Sequence, residues 1–253
     1  MKRLFDEWFG GEPAFDDENR HVLAIFEEDP DVRKARFHEI LAAMRGHYVD
    51  AKTTADRLAE LGAPNTAALL REKLPVTKRA RSGEMGEILA TEVAEQRMGW
   101  RVPIRRLRWK DGREMALRGD DLTAIKVSNE AIVSILKGES KSRSGSIATA
   151  LGEASEALGR DDGHPTSLSV LFLAERLRES GEDDLALKLE KAVLNSFSGL
   201  PIEHLLFVLT GTNPGNSLSG HLAGIRGKGV RRHIIGVRIE DHAEFIKQVF
   251  EAL

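Results

Sequence analysis

Two short stretches hold the residues from which chemistry can be read: Arg118-Gly119-Asp120-Asp121-Leu122 and Gly138-Glu139-Ser140-Lys141. Side chains alternate along a strand, so Glu139 and Lys141 share one face. A turn near Ser128-Asn129 folds the Asp-bearing strand back beside them. With a two-residue turn, Asp121 falls near Lys137, one diagonal step from Glu139. Such diagonal neighbours lie roughly 7–8 Å apart. A divalent cation with oxygen bonds of about 2 Å each can bridge carboxylates at that spacing. A register slip of one residue would present Asp120 instead. Acids that hold Mg²⁺ or Mn²⁺ on a phosphodiester polarise it and activate a water. A lysine beside them orients that water or offsets charge that develops in the transition state. A Glu-x-Lys pair alone is more often a solvated surface pair. The ordered set, with an acidic helix ahead of it, makes phosphodiester hydrolysis the expectation.

These residues must be positioned by the elements around them. A helix is predicted from Ser82, its expected N-cap, to about Met98, with Lys78 to Ser82 as a linker before it. Glu84 and Glu87 lie in its early turns, where the helix dipole favours carboxylates. Val102 to Trp109, Glu114 to Val127 and Ala131 to Lys141 then read as three strands, with Asp111-Gly112 as the first hairpin turn. Helices are expected at Ser144 to Leu158 and Leu168 to Phe197. His204 to Thr210 and His233 to Ile239 read as buried strands, with a Gly- and Ser-rich loop at 211–229 between them. Asp241 caps a last helix, 243–253. The pattern is α/β: a mixed central sheet flanked by helices. Before it, residues 1–77 read as a helical, partly acidic N-terminal domain, and 78–253 as the catalytic one. A strand or short helix is expected at Val22 to Phe26. Helices follow to Leu74, with Leu58, Leu61, Leu69 and Leu70 on their apolar face and a break at Gly62-Ala63-Pro64-Asn65.

Composition narrows the classes. The chain of 253 residues has 37 Lys plus Arg against 40 Asp plus Glu and no cysteine. Disulfide scaffolds, Cys-ligated zinc and thiol catalysis are excluded, and a reducing cytoplasm is expected. No apolar run approaches the roughly 18 residues that span a bilayer, so no membrane partner is expected. Net charge points to no partner, but local clustering does. The first 30 residues set nine acids against three bases. From Arg97 to Arg118, eight bases meet two acids, and from Arg226 to Arg238 five bases meet none. Arg105, Arg106, Arg108, Arg231 and Arg232 are the candidate DNA contacts, made to backbone phosphates without sequence readout. The alternative for each stretch is a solvated or subunit-facing surface. The stretch from Gly211 to Ser217 is Gly-rich but has no Gly-Lys-Ser/Thr ending, so it is not a P-loop.

An acidic helix, an Asp strand and a Glu-x-Lys strand in that order resemble the PD-(D/E)xK nuclease superfamily. The helix of that fold often supplies one more acid, and Glu87 of Gly83-Glu84-Met85-Gly86-Glu87-Ile88 matches its position. More narrowly, GEMGEILA, RGDDLTAIKV and GESKSR in that order resemble the HamA family, the nuclease-like subunits of Hachiman anti-phage systems. The resemblance implies a restriction-endonuclease-like fold and an Mg²⁺- or Mn²⁺-dependent deoxyribonuclease of bacterial antiviral defence. Asp121, Glu139 and Glu87 would be metal ligands and Lys141 the water-orienting residue. It also implies an ATP-dependent helicase partner, HamB, that controls cleavage. No Pro precedes the Asp here. The rival expectation is a catalytically inactive module of the same fold that binds DNA or clamps the helicase. RNA is equally open as substrate, since nothing in the motif reads a 2′-OH.

Overall fold

The computed structural model describes residues 3–15, 20–115, 118–225 and 229–253. Asp16, Asp17 and Glu18 of the acidic stretch, Arg226 and Lys228 of the second basic stretch, and residues 116–117 of an expected strand lie outside them. The chain opens with α1 (Leu4–Trp8), β1 (Phe9–Gly10), β2 (Ala14–Phe15) and β3 (Val22–Glu28), then α2 (Pro30–Ala35), α3 (Phe37–Arg45) and α4 (Ala51–Arg71). Next come α5 (Lys78–Gln96) and the hairpin of β4 (Leu122–Ser128) and β5 (Ala131–Arg143). After it run α6 (Ala148–Gly159), α7 (Ser167–Glu179), α8 (Asp183–Leu194), β6 (Ile202–Thr210), α9 (Gly215–Gly224), β7 (Arg231–Arg238) and α10 (His242–Ala252).

One mixed sheet organises these elements, in the order β1-β3-β7-β6-β5-β4, with β2 also paired to β3. β3, β7, β6 and β5 are parallel; β4 is antiparallel to β5. The inner strands β6 and β7 are buried on both faces, and their sequences are accordingly near-continuous apolar runs rather than alternating ones. Leu205, Phe207 and Leu209 of β6 pack with α5 and α10, while Leu206 and Val208 pack with α6 and α9. Ile125 and Ile135 meet α7 and α8 at the β4 edge. β3 pairs Val22 with His233 of β7, so the sheet takes strands from both sides of residue 77. No helix among the described residues is long and apolar enough to cross a membrane.

Several elements differ from their expected form. Val102–Trp109 is not a strand: Arg101 makes one isolated bridge to Ile125, and Arg106–Trp109 is a 3-10 turn. Pro103 has no N–H to give a ladder there, and the arginines that follow are drawn toward partners elsewhere in the fold. α5 begins five residues early, because Thr77 rather than Ser82 caps it by accepting from Ala80 N. Leu168–Phe197 divides at Gly181, where φ is 82°. The expected 211–229 loop contains α9. Gly62, with φ of 76°, breaks α4 where the sequence predicts a break, but Leu58, Leu61 and Leu69 are exposed and Leu70 alone of the four is buried.

His204 on β6 is 2% exposed and donates from Nε2 to Gly163 O at 2.7 Å. Burial, reinforced by the charges of Arg232 and Lys137, pushes its pKa down from 6.5 to about 4. The unfolded chain therefore binds this proton more readily than the folded one. Stability is intact above the unfolded value and is lost as pH falls from 6.5 toward the folded one. The loss approaches about 2–3 kcal/mol. In urea titrations at about pH 7.5 and about pH 4.5, His204→Gln, which keeps a donor for Gly163, is expected to lose about 2 kcal/mol less than the native chain.

Candidate active site

The site forms where α5 crosses the β4–β5 hairpin. The hairpin closes at Asn129-Glu130, both with positive φ, and pairs Ser128 with Ala131. A bulge between Lys126 and Val127 then shifts the register, so that Lys126 faces Ser134 and Leu122 faces Gly138. That extra residue on β5, together with a turn one residue later than expected, carries Asp121 two residues along β5 from the expected Lys137, to the level of Glu139. Asp121 Oδ2 accepts from Ser140 N at 3.0 Å. Gly138 is required here: a Cβ would stand 2.8 Å from Leu122 Cβ, so any side chain would push the two strands apart. Glu139 and Lys141 share a face as expected, and Lys141 Nζ donates to Glu139 Oε1 at 2.6 Å.

The adjacent Asp120 serves a different purpose. It is buried, accepts from Thr166 N at 2.8 Å and lies 3.8 Å from Lys137 Nζ. Its own N–H donates to Ser169 Oγ at 2.8 Å. Asp120 thereby ties the turn before β4 to the start of α7. Gly119 makes this possible with φ of 97° and with Ser169 Oγ where a Cβ would sit, 2.3 Å away.

α5 presents three acids inward, and their partners differ. Glu84 is buried, accepts from Tyr48 Oη at 2.7 Å and is ion-paired with Lys110. Glu92 is buried against His47 Nε2 at 2.7 Å and Arg105 at 3.3 Å. Half-buried Glu87, one turn from Glu84, makes no side-chain hydrogen bond or ion pair among the described residues. Desolvation, then the negative charge of Asp121, raises its pKa to about 8, against the opposing charge of Arg106. The same two causes raise Glu139, against Lys141. Asp121 thus lies within electrostatic reach of both Glu87 and Glu139. Glu87 opens onto a cavity of about 430 Å³ lined also by Arg79, Gly83 and Met115. It shares a narrow crevice with Asp121, Arg106 and Leu107.

Oxygen-only donors match Mg²⁺ or Mn²⁺ in kind, and a nearby cation would offset the burial and the Asp121 charge that raise Glu87 and Glu139. Among the described residues, however, no three His, Cys, Asp or Glu side chains are gathered closely enough to chelate an ion.

The first basic stretch is largely engaged within the protein. Arg105 pairs with Glu92 and Glu95, and Arg108 donates twice to Gly46 O at 3.0 and 2.7 Å. Arg101 pairs with Glu182, and Arg97 donates to Phe9 O and Gly11 O. Arg106 and Arg118 pair with no carboxylate among the described residues; Arg106 donates to Arg118 O. Arg231 and Arg232 begin β7, opposite Glu203 and His204, below the level of Glu139 on the sheet. Arg231 lies 3.8 Å from Glu203, and Arg232 donates to Ser155 Oγ at 3.0 Å. Tyr48, Lys110 and Ser140 organise the site without any local sequence signal, since each is recognisable only by the distant acid it contacts.

A family model described as HamA matches residues 2–253. The Hachiman protein HamA of Bacillus cereus is 26% identical over 178 residues, which is 70% of this chain. The chain covers 62% of that relative's length.

The Glu84–Lys110 pair gives a direct test of the packing beneath the site. Lys110→Met strands a buried carboxylate and is expected to cost about 3–5 kcal/mol in denaturant unfolding. Glu84→Gln added to it keeps an acceptor for Tyr48 and removes the charge, so the double variant is expected to recover most of that loss.

Proposed function

Because the chain belongs to the HamA family, we propose that it is a PD-(D/E)xK-like deoxyribonuclease of antiviral defence, controlled by an ATP-dependent helicase partner. One observation supports this reading above the others. Glu87 and Glu139 each face the negative charge of Asp121, beside Lys141, an arrangement that weakens a fold unless it serves a cation or a reaction. Those three acids would hold Mg²⁺ or Mn²⁺, which when bound polarises the phosphodiester and lowers the pKa of a water.

The chain's own groups supply the rest. Ser140 N–H fixes Asp121 at 3.0 Å, so this ligand is set by backbone rather than by a rotamer. Lys141, anchored to Glu139, keeps a cationic donor at the sheet edge to stabilise the extra negative charge on the phosphorus oxygens as the water attacks. Arg106 offsets charge from the α5 side. Energy from ATP must come from the partner, since the chain has no Gly-Lys-Ser/Thr phosphate loop.

A second reading, a non-catalytic module that binds DNA or clamps the helicase, is favoured by the Glu139–Lys141 contact and by the lack of a gathered chelating set among the described residues. One experiment separates the two. Plasmid and oligonucleotide cleavage is measured for the native chain, Glu139→Gln and Lys141→Met, with the helicase present and absent. Each variant is expected to lower the rate at least 100-fold with folding unchanged, and EDTA to stop the native chain until Mg²⁺ or Mn²⁺ is restored. Native rates in both variants, or full activity after metal stripping, would exclude the hydrolytic reading.

A further inference from the structure

A second cavity of about 430 Å³ lies beside the carboxylates, between the 3-10 turn and α7. Its walls include Arg106, Trp109, Met115, Arg118, Leu168 and Phe172. Trp109 is 39% exposed, Leu168 56% and Met115 60%. The indole lies edge-on to Phe172, with ring centroids 6.3 Å apart, and under the Arg176 guanidinium at 4.4 Å. Two contacts join this cavity to the proposed site. Arg106 lines both it and the crevice of Glu87 and Asp121. Ser169, also in its wall, accepts from Asp120 N, next to Asp121.

Arg106 and Arg118 pair with no carboxylate among the described residues, and the acid in the wall is Asp111. The lining therefore combines two cations, one of them shared with the acids, with exposed apolar and aromatic surface. A duplex presents phosphates to such a surface but keeps its bases stacked inward, where Trp109 cannot meet them. An unstacked base would bury the indole, thioether and leucine surface while its flanking phosphates meet the arginines. We propose that this cavity seats an unpaired nucleotide next to the scissile phosphate, so that the strand the carboxylate site accepts is single-stranded or locally opened. The inference rests on the hydrolytic reading of Glu87, Asp121 and Glu139. Opening a pair costs a few kcal/mol, so intact duplex is the poorer substrate unless a partner opens it.

The test reads binding without turnover. The full chain bearing Glu139→Gln is titrated in chelator with a fluorescent oligothymidylate and with a duplex of the same length, by anisotropy and by tryptophan fluorescence. The single strand is expected to bind more tightly and to quench the tryptophan emission. Trp109→Ala is expected to weaken oligothymidylate binding about ten-fold and to abolish part of the quench, and Trp109→Phe to restore most of the affinity. Arg118→Glu, an exposed position, is expected to weaken binding and flatten its salt dependence. Equal affinity for duplex and single strand, or unchanged oligothymidylate binding in both Trp109→Ala and Arg118→Glu, would overturn the inference and leave the cavity as a contact for protein. A native chain that cuts no DNA while these binding results hold would remove the hydrolytic reading by itself.

Discussion

Charge compensation inside the fold is the constraint on which this structure turns. α5 is buried along most of its length, from Glu84 to Ala94, and it carries carboxylates into that interior. An isolated buried charge is costly, and the fold meets the cost with distant groups. Tyr48 and Lys110 answer Glu84; His47 and Arg105 answer Glu92. These contacts also bind the segment after α3 and the 3-10 turn to the central helix, so the same ion pairs that satisfy α5 hold the N-terminal helices against the sheet. Glu87 is the acid left without a matching base. The charge with the greatest effect on it is another carboxylate, Asp121.

The sheet brings that second carboxylate into range through two small irregularities. The bulge at Lys126/Val127 moves Asp121 to the level of Glu139, and Gly138 lets β4 approach closely enough for Ser140 N to hold it. Regular pairing from Ser128 and Ala131 would have set Asp121 opposite Gly138, on the other face from Glu139. Asp120, one residue earlier, points into the α7 cap instead. Adjacent acids of identical type therefore have opposite duties: one secures the helix that follows and the other is held at the edge with Glu139 and Lys141.

Much of this was legible from residue order. Strand alternation alone places Glu139 and Lys141 on one face, and the Asp121 strand beside them follows from a turn at the Asn129 region. The mixed α/β layering follows from the apolar runs at His204–Thr210 and His233–Ile239. Other features depend on groups far apart in the chain. The run from Arg97 to Arg118 reads as a basic surface because its acids, Glu84, Glu92, Glu95 and Glu182, lie on other elements. The same non-local pairing explains why Val102–Trp109 is not a strand: Arg105 and Arg108 turn inward to Glu92, Glu95 and Gly46. Glu84 and Glu87 are indistinguishable as first-turn acids until Tyr48 and Lys110 are seen to choose between them.

The pairing of β3 with β7 has a kinetic side. Translation makes Val22–Glu28 early and His233–Arg238 near the end of the described chain. Until β7 is made, about 200 residues later, the early strand has no parallel neighbour, while the β4–β5 hairpin and the helices around it can already form local contacts. Closing so large a loop is entropically slow. β3, made early, is among the last strands to be locked in place, and until then its open edge is a site for aggregation.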